Sequence, residues 1–317
     1  MFSFRLIKNL AGFTLRCSGI LLLFRSLYLR HKATIIYYHD PSPQVFEKHM
    51  RYLSKHYNII TLDFLVEAIH NCSWAKLPPK SLVITFDDGH KGNFNLLPVF
   101  KKYKIVPTIY VCSQIVETFR HFWFKVATGK KKLELLQCSN QMRLQHLAQE
   151  YDFEPSKEYP EQERQALSKE EIDLMNGYVD FQSHSRFHPV MTNCSQVECE
   201  QEIVLAKDEV ERLVGNRCKH FSYPRGAYSE REIFYSKKAV YASARTCDVG
   251  WNDAKTDPYR LKTTLIADDA SVNWLAVQLT GIPQYLHALR GNPNFSCRLP
   301  VQSRGKGTRF GQSQAHK

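Results

Sequence analysis

The chain has 317 residues, 43% of them hydrophobic and 23% charged, which excludes an intrinsically disordered protein and allows one large core. Its net charge of +12 points to an anionic partner; with no basic helix carrying interleaved aromatics, no RNA-binding signature and no zinc-finger spacing, nucleic acid is set aside in favour of an acidic lipid surface. Nine scattered cysteines, odd in number and without a C-x-x-C pair, exclude a disulfide framework and read as mostly buried, reduced thiols of a reducing compartment.

Residues 1–32 mix Phe2, Phe4, Leu6, Ile7, Leu10 and Phe13 with basic side chains, a pattern that suits a helix lying in a membrane interface or packed on the body of the protein. The apolar run Cys17 to Phe24 is too short to span a bilayer and lacks a small-residue cleavage site, so an uncleaved signal anchor is the third reading. The expected location is cytoplasmic, peripheral on the inner face of the membrane, with a signal-anchored extracytoplasmic protein as the alternative. Ala33 to Tyr38 reads as the first strand, Phe46 to Tyr57 as a helix, Ile59 to Thr61 as a short edge strand, and Leu62 to His70 as a second helix. The strand Leu82 to Phe86 follows, then a helix from Asn95 to Tyr103 and a strand from Ile105 to Cys112.

From about 113 to 168 the pattern changes to a charged helical insertion. Its aromatic cluster around Trp123 reads as a cap on the core or a platform for sugar rings. Ser168 with Glu171 forms a capping-box signature, Val179 to Ser183 is the next strand, and Ser195 to Val214 is a long amphipathic helix closed by Gly215. His220 to Tyr223, Val240 to Ala244 and Arg260 to Ile266 supply later strands. Strands alternating with helices indicate parallel βαβ units and a (β/α) barrel spanning 33–287, ahead of a Gly-, Ser- and Arg-rich tail over 288–317 that reads as disordered.

Two motifs carry chemistry. Thr85-Phe86-Asp87-Asp88-Gly89 puts two carboxylates at the end of an apolar strand, where they repel and resist burial unless a cation or a shared proton offsets the cost. His184-Ser185-Arg186-Phe187-His188 places two imidazoles four positions apart, again after a strand. One carboxylate with two histidines is a ligand set for one divalent metal, Zn²⁺ first, with Co, Ni or Fe as alternatives. The other aspartate is then free for proton transfer, and the constellation reads as metal-assisted hydrolysis.

Together these motifs resemble the polysaccharide deacetylases of NodB homology, carbohydrate esterase family four, over about 34 to 281. The resemblance implies a distorted seven-stranded (β/α) barrel with Asp87 as general base and Asp88, His184 and His188 as metal ligands. It implies an N-acetylated glycan, polymeric or lipid-linked, as the partner and an N-deacetylase as the activity. An O-acetyl esterase and a non-catalytic glycan-binding barrel are the alternatives. Ser222-Tyr223-Pro224-Arg225-Gly226 stands where the family often has Arg-x-Pro-Tyr. The resemblance implies an oxyanion-binding N–H at Arg225 and a substrate contact at Tyr223, and it leaves Asp87 without an identified orienting arginine. The family's late Leu-x-His motif, source of its general acid, has no counterpart in Leu261 to Asp269. One branch takes a histidine from the first strand instead, and Tyr38-His39 resembles it, making His39 the expected acid with His90 and His121 behind it.

Overall fold

A computed structural model describes residues 9–283, apart from 11, 16, 24, 25, 28 and 282. Eight strands, all pairing in parallel, run β1 (Thr34–Tyr38), β2 (Asn58–Ile59), β3 (Ser81–Phe86), β4 (Thr108–Val111), β5 (Asp180–Ser183), β6 (His220–Ser222), β7 (Ser243–Val249) and β8 (Leu261–Leu265). Pairing of β1 with both β8 and β3 closes seven of them into a ring, the expected barrel. The eighth, β2, pairs with Ser81 and Leu82 at the start of β3, whereas β4 pairs with Thr85 and Phe86 at its end. The β3–β4 seam is therefore joined only near the carboxyl end of β3.

The helices α1 (Pro43–His56), α2 (Leu62–His70), α3 (Leu97–Tyr103), α4 (Trp123–Val126), α5 (Gly129–Gln137), α6 (Asn140–Tyr151), α7 (Lys169–Met175), α8 (Gln196–Val214), α9 (Glu230–Lys238) and α10 (Val272–Gln278) complete the fold. Side chains alternate across the strands with period two. Ile36, Tyr38, Ile84 and Phe86 join Phe46 of α1 and Phe100 of α3 in the main core, while Ile35, Val83 and Tyr110 pack in a second cluster with Leu62, Leu65 and Val66 of α2. Both expected capping features are present: Ser168 with Glu171 opens α7, and Gly215 ends α8 in the left-handed conformation. Ser195 with Glu198 forms a further capping box.

Two expectations need correction. The long amphipathic helix does not bury all of its apolar residues: Val197 and Leu205 are exposed, while Cys199, Glu202 and Ala206 join Ile203, Val210 and Leu213 on the buried side. The reason is a stripe shifted by about one position, with a glutamate inside it. The strand read as Val240 to Ala244 begins at Ser243, because Val240 has a φ of 57° in the turn leaving α9, and it continues to Val249. The stretch read as a charged helical insertion does hold helices, the two longer ones being α5 and α6, broken at Cys138-Ser139.

Near the amino terminus, Leu21 and Leu29 are buried in the main core, and Asn273 of α10 donates to Asn9 Oδ1 at 2.9 Å. Leu10, Phe13, Leu15, Ile20, Leu23 and Leu27 nevertheless stay exposed. No helix among the described residues is long and apolar enough to cross a membrane. The tail from 288 lies outside the described residues. Eight described cysteines are free of disulfides, and five of them are buried.

Candidate metal centre and active site

Every motif residue follows the carboxyl end of a strand, the face on which barrel loops gather functional side chains. Tyr38 pairs with Phe86 in the β1–β3 register, and the Asp87 N–H donates to the Tyr38 carbonyl at 3.0 Å, so His39 and the two aspartates leave neighbouring strands together. The His184 N–H donates to the Val111 carbonyl, continuing the β4–β5 ladder for one more bond. Beyond these points the backbone turns sharply. Asp88, Ser185, His188 and Arg225 all take positive φ, between 57° and 72°, a conformation that costs a non-glycine residue about 1 kcal/mol or more.

Asp88, His184 and His188, all buried, bring one ligand atom each within 4.8 Å of one another. His188 Nε2 is 3.2 Å and His184 Nε2 3.5 Å from Asp88 Oδ1, which is buried and has no hydrogen-bond partner. His184 Nδ1 lies 2.8 Å from the Ser222 carbonyl, which only an N–H can satisfy, so Nε2 presents its lone pair to the cluster. An unpartnered carboxylate oxygen facing two imidazoles is a donor set that fits a Zn²⁺-type ion. Burial lowers the pKa of His184, and that of His188 to about 3, so both rings are neutral near pH 7 as ligation requires. Burial would raise the Asp88 carboxyl, but the imidazoles of His188, His90 and His184 hold it well below the usual range.

Three side chains steady this cluster. His90 Nε2 lies 3.0 Å from Asp88 Oδ2, and its Nδ1 is 3.1 Å from the Lys125 ammonium, so both ring nitrogens are engaged. Buried Glu202 accepts from the N–H groups of Arg186 and Phe187 at 2.8 and 2.9 Å, and Trp123 Nε1 donates to the His188 carbonyl at 2.7 Å. Trp123 is buried with the Arg143 guanidinium 4.5 Å from its ring, which makes it a cap on the histidine loop and not a sugar platform.

Asp87 points to a different partner. Arg245, fully buried on β7, reaches both Asp87 carboxylate oxygens and the Ser222 hydroxyl, with its guanidinium 4.5 Å from the ring of Tyr37. Burial opposes the charge on Arg245, but Asp87 outweighs it and raises its pKa. A register shift between Arg245 and Val249 bulges β7 just after the arginine. Ser222 does stand where an arginine was expected, and the cation arrives from the next strand.

The remaining expected residues divide. His39 is half-buried at the mouth, its N–H donating to Asp268 and its carbonyl accepting from Asn93, while its ring meets Tyr37 edge-on and makes no hydrogen bond among the described residues. His121 belongs to the insertion, stacked on Tyr159 at 3.7 Å and bonded to the Glu163 carbonyl. Arg225 lies beside the cluster in the turn after β6. Tyr223 does not offer its side chain to a ligand: it is fully buried against Phe221 and Tyr228, with its hydroxyl donating to the Tyr259 carbonyl. Strand alternation turns it away, since Ser222 already faces the site.

The sequence matches the model of the polysaccharide deacetylase family over residues 75–244, more than half of the chain. No curated protein matches it. Among solved structures it is similar to the Streptococcus pyogenes deacetylase PplD in complex with acetate, at 18% identity and a TM-score of 0.57, covering 78% of this chain and 98% of that one. IcaB from Ammonifex degensii is similar at 16% identity and a TM-score of 0.58, covering 78% and 97%. A de-N-acetylase from Aggregatibacter actinomycetemcomitans follows at 15% identity and a TM-score of 0.55, covering 78% and 99%. At these identities the likeness is one of fold.

Proposed function

The chain belongs to the polysaccharide deacetylase family, and on that footing we propose that it removes N-acetyl groups from acetylated amino sugars with one divalent metal, Zn²⁺ first. The observation that carries this reading is the buried Asp88, His184 and His188 cluster beside the Asp87–Arg245 pair. The similar fold of a protein described as a de-N-acetylase supports an amide over an ester. A barrel that only binds glycans has no need of a buried base held by a buried arginine.

In this reading Asp88, His184 and His188 would hold the ion, whose chemistry when bound would be to polarise the acetamide carbonyl and acidify a water molecule. Asp87, fixed by Arg245 at both oxygens, takes that water's proton. The backbone N–H of Arg225 faces the negative oxygen that develops on the acetamide. His39 gives a proton to the departing amine, a role its unengaged ring nitrogens leave open. The reaction is tested by acetate release from N-acetylated and O-acetylated oligosaccharides side by side; release from the O-acetyl substrate alone sinks the amide assignment.

His39→Ala is expected to lower turnover by about 10²–10⁴-fold, the usual worth of a general acid, with metal content unchanged. Near-normal turnover across pH moves the acid elsewhere, and loss of metal makes His39 a ligand.

Peripheral association with an anionic membrane belongs to the same proposal. It is supported by the exposed Leu10, Phe13, Leu15, Ile20, Leu23 and Leu27 among the basic residues Lys8, Arg16, Arg25 and Arg30. Each basic residue near such a surface contributes roughly 1 kcal/mol. Co-sedimentation with phosphatidylserine vesicles should weaken as salt rises and with deletion of residues 1–30; binding indifferent to both counts against it.

A further inference from the structure

We propose that the substrate is an anionic glycan, carrying a carboxylate or phosphate close to its acetamido group, and that Lys132 and Arg225 receive that charge at the rim of the site. The inference rests on the N-deacetylase reading and names its substrate class.

The two cations come from different parts of the chain, and each lies near the histidine cluster. Arg225 lies in the turn that begins just after Ser222, whose carbonyl accepts from His184, and its left-handed φ of 57° belongs to that turn. Lys132 comes from α5 of the insertion; its ammonium is 5.6 Å from the Phe124 ring, which lies 4.6 Å from the His188 ring. Each is thus one short step from a proposed metal ligand. Both are half-buried, and neither makes an ion pair or a side-chain hydrogen bond among the described residues.

A lysine run on a helix is usually a solvated face, and the neighbours of Lys132 behave that way. Lys130 is exposed and faces Glu134 at 3.9 Å, and Lys131 pairs with Glu150. Lys132 instead turns toward the barrel. Burial lowers its pKa, and the nearby positive charge of Arg225 lowers it further; burial lowers that of Arg225 too. Bringing two like charges together while removing water costs free energy unless an anion joins them.

The acidic groups around the site are already committed. Asp87 is taken by Arg245, and Asp268 accepts from the N–H groups of His39 and Asp40. Lys125, the third cation of the rim, contacts His90 and is offset first by Asp88 and then by Asp40. The one carboxylate that Lys132 and Arg225 both sense is Asp88, the proposed metal ligand. A neutral chitin-like oligomer would gain nothing from this pair, whose one nearby carboxylate is given over to the proposed metal, whereas a uronate or a phosphate would be held by charge-assisted hydrogen bonds.

The test compares three probes: a neutral N-acetylglucosamine oligomer, N-acetylglucosamine 1-phosphate, and an N-acetylglucosamine–glucuronate disaccharide. Calorimetric binding to the protein is measured alongside kcat and KM. An anionic probe should bind about ten- to a hundredfold more tightly than the neutral one, the worth of one or two bonds to a charged group. That preference should shrink as salt is raised and collapse in Lys132→Gln, while Lys132→Arg retains it. Whether phosphate or uronate gains more identifies the source of the charge. Equal binding of neutral and anionic probes, or a preference that ignores both Lys132→Gln and salt, overturns the inference and leaves N-deacetylation standing. Selective anion binding without acetate release from any probe would leave the rim assignment intact and overturn the activity instead.

Discussion

His188→Ala is expected to leave the purified protein short of stoichiometric metal and without measurable deacetylation, while the barrel stays folded. Its ring is one of only three ligand groups in the cluster, so its loss should exceed the about 10–100-fold drop in metal affinity that follows removal of a supporting partner. The fold should survive because the loop is held by its backbone: Glu202 binds the N–H groups of Arg186 and Phe187, and Trp123 binds the His188 carbonyl. Elemental analysis after dialysis, with circular dichroism on the same sample, reads both outcomes. Full Zn²⁺ occupancy in the variant would remove His188 from the ligand set. His184→Ala is expected to be harsher on the fold, since it also leaves the buried Ser222 carbonyl without its donor.

The second large effect belongs to the Asp87–Arg245 pair. Arg245→Met strands a buried carboxylate without its cation, and breaking a buried pair from one side costs about 3–5 kcal/mol. The urea midpoint should fall accordingly, and turnover should fall with it because the base loses its fixed orientation. Asp87→Asn should reduce turnover by at least about 10²-fold. The double variant removes both charges, so its loss of stability should be smaller than the sum of the two singles. Strict additivity in that cycle would mean that the two groups do not act as a pair.

Much of the site was legible because both motifs abut strand ends, where a short apolar run stops and polar residues begin. Arg245 was missed for a local reason. The strand holding it was drawn from Val240 to Ala244, whereas the positive φ at Val240 delays its start to Ser243 and carries Arg245 inside. A lone arginine between Ala244 and Thr246 was the available signal. Glu202 left a similar trace, a carboxylate on the buried stripe of α8 between Cys199 and Ala206. The place of Ser222 to Gly226 in the family's Arg-x-Pro-Tyr pattern fixes backbone position but not the side to which Tyr223 faces; alternation sends it into the core. His39 was legible only as a histidine ending the first strand, since acid function depends on where the leaving amine sits and not on the fold.

The left-handed residues Asp88, Ser185, His188 and Arg225 bear on how this protein can change over time. Glycine at each would relax the backbone, and together the four conformations hold back a noticeable part of a total stability of about 5–15 kcal/mol. A lineage or a laboratory library screened only for heat resistance would therefore be drawn toward glycine there. At Asp88 and His188 that gain would erase a proposed ligand, so robustness and chemistry pull in opposite directions at the same codons. Ser185 is the informative exception: its side chain accepts from the His188 N–H, but it is not among the grouped ligands. Glycine there would spare the three grouped ligands but leave the buried His188 N–H without its acceptor, so even at this position relief of strain is set against a lost hydrogen bond.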